Sequence, residues 1–114
     1  SKVSNGHKKC RQLISSIFPA YIILEEVKIP RTRMHIDFFI PDLFLVIEVD
    51  GTQHKSYNSF FHKSKVDFYR SVARDRQKNK WCELNDFTMI RLDTDNEQSW
   101  EGTLRDFFES SRKL

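Results

Sequence analysis

Residues 34–54, MHIDFFIPDLFLVIEVDGTQH, constrain this chain more than any other stretch. They are dense in the β-branched and aromatic side chains that fill buried strands. Pro41-Asp42 interrupts them with a dipeptide suited to a short turn. The pattern predicts a β-hairpin with strands over 34–40 and 43–50. Asp37, Glu48 and Asp50 lie inside that hairpin, and His54 lies just past the break at Gly51. Ionised carboxylates among such neighbours are costly unless a cation compensates them. A divalent ion with oxygen ligands compensates several at once.

The spacing carries the idea further. Strand side chains alternate, so Glu48 and Asp50 point to one face. A turn near Asp42 places Asp37 across from Glu48 or one pair away, and facing Cβ atoms lie ~5 Å apart. Without a cation the acids repel, and at least one pKa rises. With Mg²⁺ or Mn²⁺ they become ligands, and the ion activates a water or stabilises in-line attack on a phosphodiester. His54 is placed to act as general acid or base, or as a further ligand. The residues therefore imply a metal-dependent hydrolase, most readily a nuclease. Asp50-Gly51 taken alone is an ordinary turn dipeptide.

A chain of 114 residues predicts a single compact domain over 1–114, with ten Phe among its large apolar side chains. The net charge of +3 suits an anionic partner only weakly. The distribution says more: Lys8, Lys9 and Arg11 cluster near the start, and Arg70, Arg74, Arg76, Lys78 and Lys80 share one segment. Cys10 and Cys82 are too few for a disulfide framework or a zinc site, which points to a reducing compartment. No apolar run reaches the length of a membrane span and no signal peptide is visible, so the expectation is a cytoplasmic protein without a membrane partner.

Elsewhere, 4–17 and 97–111 read as amphipathic helices, 21–29 and 87–92 as strands, and 51–63 as an irregular loop. A long helix is expected over 65–84, with Val66, Tyr69, Val72 and Ala73 on one apolar face and Asn85 as a left-handed stop. The order α-β-β-β-α-β-α predicts an α/β fold. Its sheet is mixed, its last strand runs parallel to an earlier one, and helices cover both faces. On the long helix, Asp67, Arg70, Arg74 and Lys78 form one charged stripe. It is either a solvated face with salt bridges or a row of phosphate contacts from Arg70, Arg74 and Lys78. Lys55, in a loop that mixes cations with aromatics, is a further candidate against nucleic acid.

An acid on one strand followed by Glu48-Val49-Asp50 on the next resembles the PD-(D/E)XK nuclease pattern in outline. IEVDGTQH, then RDRQKNKWC from Arg74, then NDFTMIRL from Asn85, resembles the very-short-patch-repair-like branch, which includes phage and homing-type endonuclease domains. The resemblance covers nearly the whole chain and implies a restriction-endonuclease-like αβββαβ core with a four-stranded sheet. It implies a metal-dependent endodeoxyribonuclease in a bacterial or phage-infected cell. Asp37 matches the metal-binding aspartate, Glu48 the second acid, and Asp50 the place of the parent family's lysine, with the Val49 carbonyl as a further ligand. His54 matches the histidine after the DG turn, and Asp75 and Lys78 a helix pair beside the site. One departure stands out: members of that branch often carry a glutamate after a Ser-x-Gly in the first helix, and here Ser4-Asn5-Gly6 is followed by His7. Either His7 acts in its place as a catalytic residue, or the chain is a catalytically impaired module that binds nucleic acid or a protein. DNA is the expected partner, with RNA left open. So short a chain also leaves room for a protein partner or a second copy to supply specificity.

Overall fold

The computed structural model describes residues 4–51 and 64–112. In chain order the elements are α1 (Asn5–Ile17), β1 (Leu24–Lys28), β2 (His35–Ile40), β3 (Leu45–Asp50), α2 (Lys65–Leu84), β4 (Thr88–Asp93) and α3 (Trp100–Arg112). The strands form one four-stranded sheet in the order β1-β2-β3-β4. The first two pairings are antiparallel, and the helical crossover through α2 lays β4 parallel to β3. The fold is thus a mixed α/β sheet flanked by helices, as the order of elements predicts.

Each face has its own core. On one side α1 and α3 bury Cys10, Ile14, Phe18, Trp100 and Leu104 against Phe38, Ile40, Leu45 and Ile47. On the other, α2 packs Trp81 and Cys82 onto Ile36, Val46 and Met89. The α1 helix begins at the Ser4 cap, whose hydroxyl accepts from the His7 amide at 3.1 Å. The hairpin turns through a 3-10 segment, Pro41–Leu43, and Phe44 closes it in the left-handed region with φ 49°.

Three local expectations are corrected. Asn85 is not left-handed, with φ −105°, and Asp86 beside it takes that role at φ 59°. The segment before Trp100 is a 3-10 run over Thr94–Ser99 with a non-helical Asn96, so α3 starts later than its apolar spacing suggests. Val66 and Tyr69 do not face a core; they are 55% and 63% exposed. Length explains this. A helix of 20 residues is ~30 Å long, whereas the six-residue strands beneath it span only ~20 Å. Much of the first half of α2 overhangs the sheet, although Ser71 in it is buried, and the C-terminal half packs Trp81 and Cys82 onto the strands.

The feature that shapes the site is a change of face in the outer hairpin. Residues two apart on a regular strand share a face, yet Phe38 packs under α1 while Ile36 packs under α2. The switch falls on Asp37. On β1 the pairs Glu25–Phe38 and Val27–Ile36 flank Glu26, which sits in the left-handed region with φ 50°. For a non-glycine residue in a strand this is a strained conformation. It turns Glu26 and Asp37 out of the regular alternation together.

Gly6 lets α1 approach this seam. A Cβ there would meet Thr94 Cγ2 at 2.9 Å and Val49 Cγ1 at 3.2 Å. Gly6→Leu should therefore lower stability by about 1–3 kcal/mol despite leucine's better helix propensity. Urea unfolding of the variant tests this, and an unchanged or raised midpoint would show that the helix end does not seat closely on β3.

Candidate active site

The β2–β3 ladder runs from Ile40–Leu45 to Phe38–Ile47, and the same register carries Asp37 across from Glu48. There side chains replace the ladder. The Asp37 amide donates to Glu48 Oε2 at 2.6 Å, and the Val49 amide donates to Asp37 Oδ2 at 2.8 Å. Two carboxylates thus satisfy backbone donors that the change of face would otherwise leave without partners. They also stand close to each other, and Glu48 is only 3% exposed. Burial, and then the Glu48 charge, push the Asp37 carboxyl up to about 6; the Val49 hydrogen bond, Lys78 and His7 oppose the rise.

Cations meet the acids from the α2 side. Lys78 Nζ donates to Glu48 Oε1 at 2.7 Å, with both side chains largely buried. Arg91, across from Glu48 in the β3–β4 register, sends NH1 to both oxygens of Asp50 at 3.2 Å. Its NH2 donates to Asn79 Oδ1 at 2.8 Å and to the Asp75 carbonyl at 3.3 Å, so one guanidinium ties β3 and β4 to α2. Asp75 Oδ1 lies 3.8 Å from the same NH1.

On the α1 side the neighbours differ. His7 is 6% exposed, and its ring stacks on Phe38 with centroids 4.4 Å apart and planes at 30°. Its Nδ1 lies 3.9 Å from Glu26 Oε1 and 4.0 Å from Asp37 Oδ1. Its Nε2 lies 3.1 Å from Glu25 Oε1. Arg11 holds Glu25 through Nε to both oxygens, at 2.9 and 3.0 Å, and keeps its carboxyl below the ordinary range, with help from His7.

The sequence-predicted residues are therefore only partly brought together. Asp37 and Glu48 adjoin, and Glu48 and Asp50 both turn to α2. There they meet Lys78 and Arg91 rather than one another. His7 stands beside Asp37, across the sheet seam from Glu48. The Val49 amide belongs to the cluster through its bond to Asp37. Arg70 and Arg74 are exposed on α2, while Lys78 leaves their stripe for Glu48. His54 and Lys55 lie outside the described residues. Sequence reasoning missed Glu25, Glu26 and the clamp through Arg91 and Asn79. A signal for the first two was present: paired acids in Ile-Leu-Glu-Glu-Val break the alternation expected of a strand.

No protein-family model matches the chain. It is 29% identical over 97 residues to the uncharacterized protein 033L of Invertebrate iridescent virus 3, a match covering 78% of this chain and 48% of that protein. It is 36% identical over 60 residues to the uncharacterized protein 307L of Invertebrate iridescent virus 6, covering 53% of this chain and 30% of that protein. The chain thus spans half or less of these viral relatives. Among solved structures it superposes on the catalytic domain of the homing endonuclease I-Bth0305I with a TM-score of 0.66, covering 96% of this chain and 98% of that domain. At 12% identity the likeness is one of fold.

The raised Asp37 carboxyl has a signed consequence. The native state keeps this proton to about pH 6, whereas the unfolded chain releases it near 3.8. Asp37 thus favours the native state at low pH, and the advantage is lost as pH rises between those values. Without metal, wild type should lose stability relative to Asp37→Asn over pH 4 to 7, by up to about 3 kcal/mol. Chemical denaturation of both proteins across that range checks it; a pH-independent difference would contradict the burial assigned here.

Proposed function

We propose that this chain is the catalytic domain of a metal-dependent endonuclease acting on DNA. The observation that carries the reading is the convergence of His7, Glu26, Asp37 and Glu48 from three strands and a helix end onto one seam of the sheet. The shared fold with a homing-endonuclease catalytic domain supports it. An acid pair this close, with one member pushed up to about 6, is a configuration that a bound cation relieves.

The donor set fits a divalent ion: the Glu26 carboxylate and the His7 imidazole lie within reach of Asp37. Such an ion, Mg²⁺ or Mn²⁺, supplies charge neutralisation at the phosphodiester and a more acidic water. Glu48 and Asp50, proposed with the Val49 carbonyl as further ligands, are each already neutralised by a cation. Asp37 is oriented by the Val49 amide. Lys78 brings a cation to Glu48 where a phosphate oxygen can approach. His54 remains the proposed general acid or base, and His7 a catalytic residue of the first helix. Arg70, Arg74 and Lys55 are the proposed nucleic-acid contacts. A second reading, a catalytically impaired module of the same fold that binds nucleic acid or a protein, is favoured by His7 where the branch that the sequence resembles often carries a glutamate.

Incubation with supercoiled plasmid and single-stranded DNA, with Mg²⁺, Mn²⁺ or excess chelator, separates the two readings. Nicking or linearisation is expected with metal, and it should fall below detection in chelator and in Asp37→Asn. Undiminished cleavage in chelator would overturn the metal mechanism, and binding without cleavage under every condition would favour the second reading.

DNA affinity should rest in part on the overhanging end of α2. Replacing Arg70 and Arg74 by alanine should flatten the slope of log affinity against log salt by ~0.9 for each duplex phosphate that is no longer neutralised. An unchanged slope would move the binding surface elsewhere, with Lys8, Lys9 and Arg11 the next candidates.

A further inference from the structure

We infer that the ion sits on the α1 side of Asp37, held by His7 Nδ1, Glu26 and Asp37, and that this centre prefers ions accepting an imidazole nitrogen, such as Mn²⁺, Co²⁺ or Zn²⁺, over Mg²⁺. The inference rests on the proposed metal dependence but concerns where the ion binds and which ion it is.

Geometry supplies the first support. One ligand atom from each of the three residues lies within 4.8 Å of the other two. The two distances from His7 Nδ1, 3.9 and 4.0 Å, fall where atoms sharing one ion belong, since ligands at ~2.1 Å are ~3–4.2 Å apart. At the same time they exceed hydrogen-bond length, so Nδ1 is aimed at both carboxylates without bonding either.

The opposite edge of the ring explains why Nδ1 is the metal-facing atom. A carboxylate held on both oxygens by Arg11 can only accept, so Glu25 assigns the ring proton to Nε2. In the neutral ring Nδ1 then presents its lone pair to Glu26 and Asp37. An outer carboxylate that fixes the tautomer of a ligating histidine is the usual support of such a centre. Stacking on Phe38 and near-complete burial fix the ring plane.

Charge distinguishes the two sides of the seam. On the α2 side Lys78 and Arg91 already neutralise Glu48 and Asp50, so an ion there must displace cations. On the α1 side, the only ion-pair partner of Glu26 or Asp37 among the described residues is His7 itself. Arg11, the nearby cation, is engaged by Glu25. Two carboxylates that form no ion pair with Lys or Arg among the described residues, joined by one nitrogen, form a centre for a divalent ion. Mg²⁺ favours oxygen ligands in strict octahedral geometry, whereas imidazole suits the later transition ions.

The test uses the full chain, labelled with ¹⁵N-histidine and titrated with Zn²⁺ while long-range ¹H–¹⁵N spectra are recorded. The His7 Nδ1 resonance is expected to shift on binding while Nε2 keeps its proton. Calorimetry should show Mn²⁺ binding about tenfold or more tighter than Mg²⁺ in wild type, with the ratio falling towards unity in His7→Glu. Glu25→Gln should weaken Mn²⁺ about 10- to 100-fold. An unshifted Nδ1 in wild type, or equal Mg²⁺ and Mn²⁺ affinities, overturns the centre. If Mg²⁺-supported cleavage accompanies an unshifted Nδ1, the nuclease reading survives without it. A His7-bound ion in a protein that cuts no DNA overturns the nuclease reading and leaves the centre standing.

Discussion

The structure turns on the exchange between Asp37 and Glu48. Beyond the Phe38–Ile47 pair, each carboxylate accepts a backbone amide that a regular hairpin would pair with a carbonyl. That exchange lets β2 change face at Asp37 without stranding donors. It also forces two acids together in a place where neither is well solvated. Everything around them answers that crowding. Lys78 reaches back from α2 to Glu48, Arg91 holds Asp50 against α2, and α1 brings His7 to the other side of Asp37. The two helical layers are thus not only packed on the sheet. They are recruited to its charges, one layer supplying cations and the other an imidazole that meets Glu25.

Much of this was legible in the sequence, for identifiable reasons. The hairpin, the parallel fourth strand and the helices on both faces follow from side-chain period and element order, which are local signals summed over many residues. Glu48 and Asp50 sharing a face follows from strand parity alone. What parity cannot reveal is where it breaks. Ile36, Asp37 and Phe38 read as an uninterrupted strand, and only the left-handed Glu26 and the two core clusters show the switch. The same break explains why Asp37 meets His7 rather than sharing all its neighbours with Asp50. Val66 and Tyr69 have correct helical spacing, yet spacing does not say that a long helix outruns its sheet. The clamp of Arg91 on Asp50, Asp75 and Asn79 joins distant segments, and no local pattern announces it.

The asymmetry of the seam gives the residue at position 7 a physical meaning. The His7 ring is the group that α1 brings to Glu26 and Asp37, and Glu25, held by Arg11, meets its opposite edge.

The central claim, that Asp37 is a crowded carboxylate held between Glu48 and the first helix, is open to direct observation. Carboxyl ¹³C resonances of the metal-free protein, assigned with Asp37→Asn and followed from pH 3 to 8, report its protonation. The expected midpoint for Asp37 is near 6, falling towards the ordinary carboxylate range in Glu48→Gln. A wild-type midpoint near ~4 would contradict it, because the two acids would then be neither buried nor coupled as the fold requires.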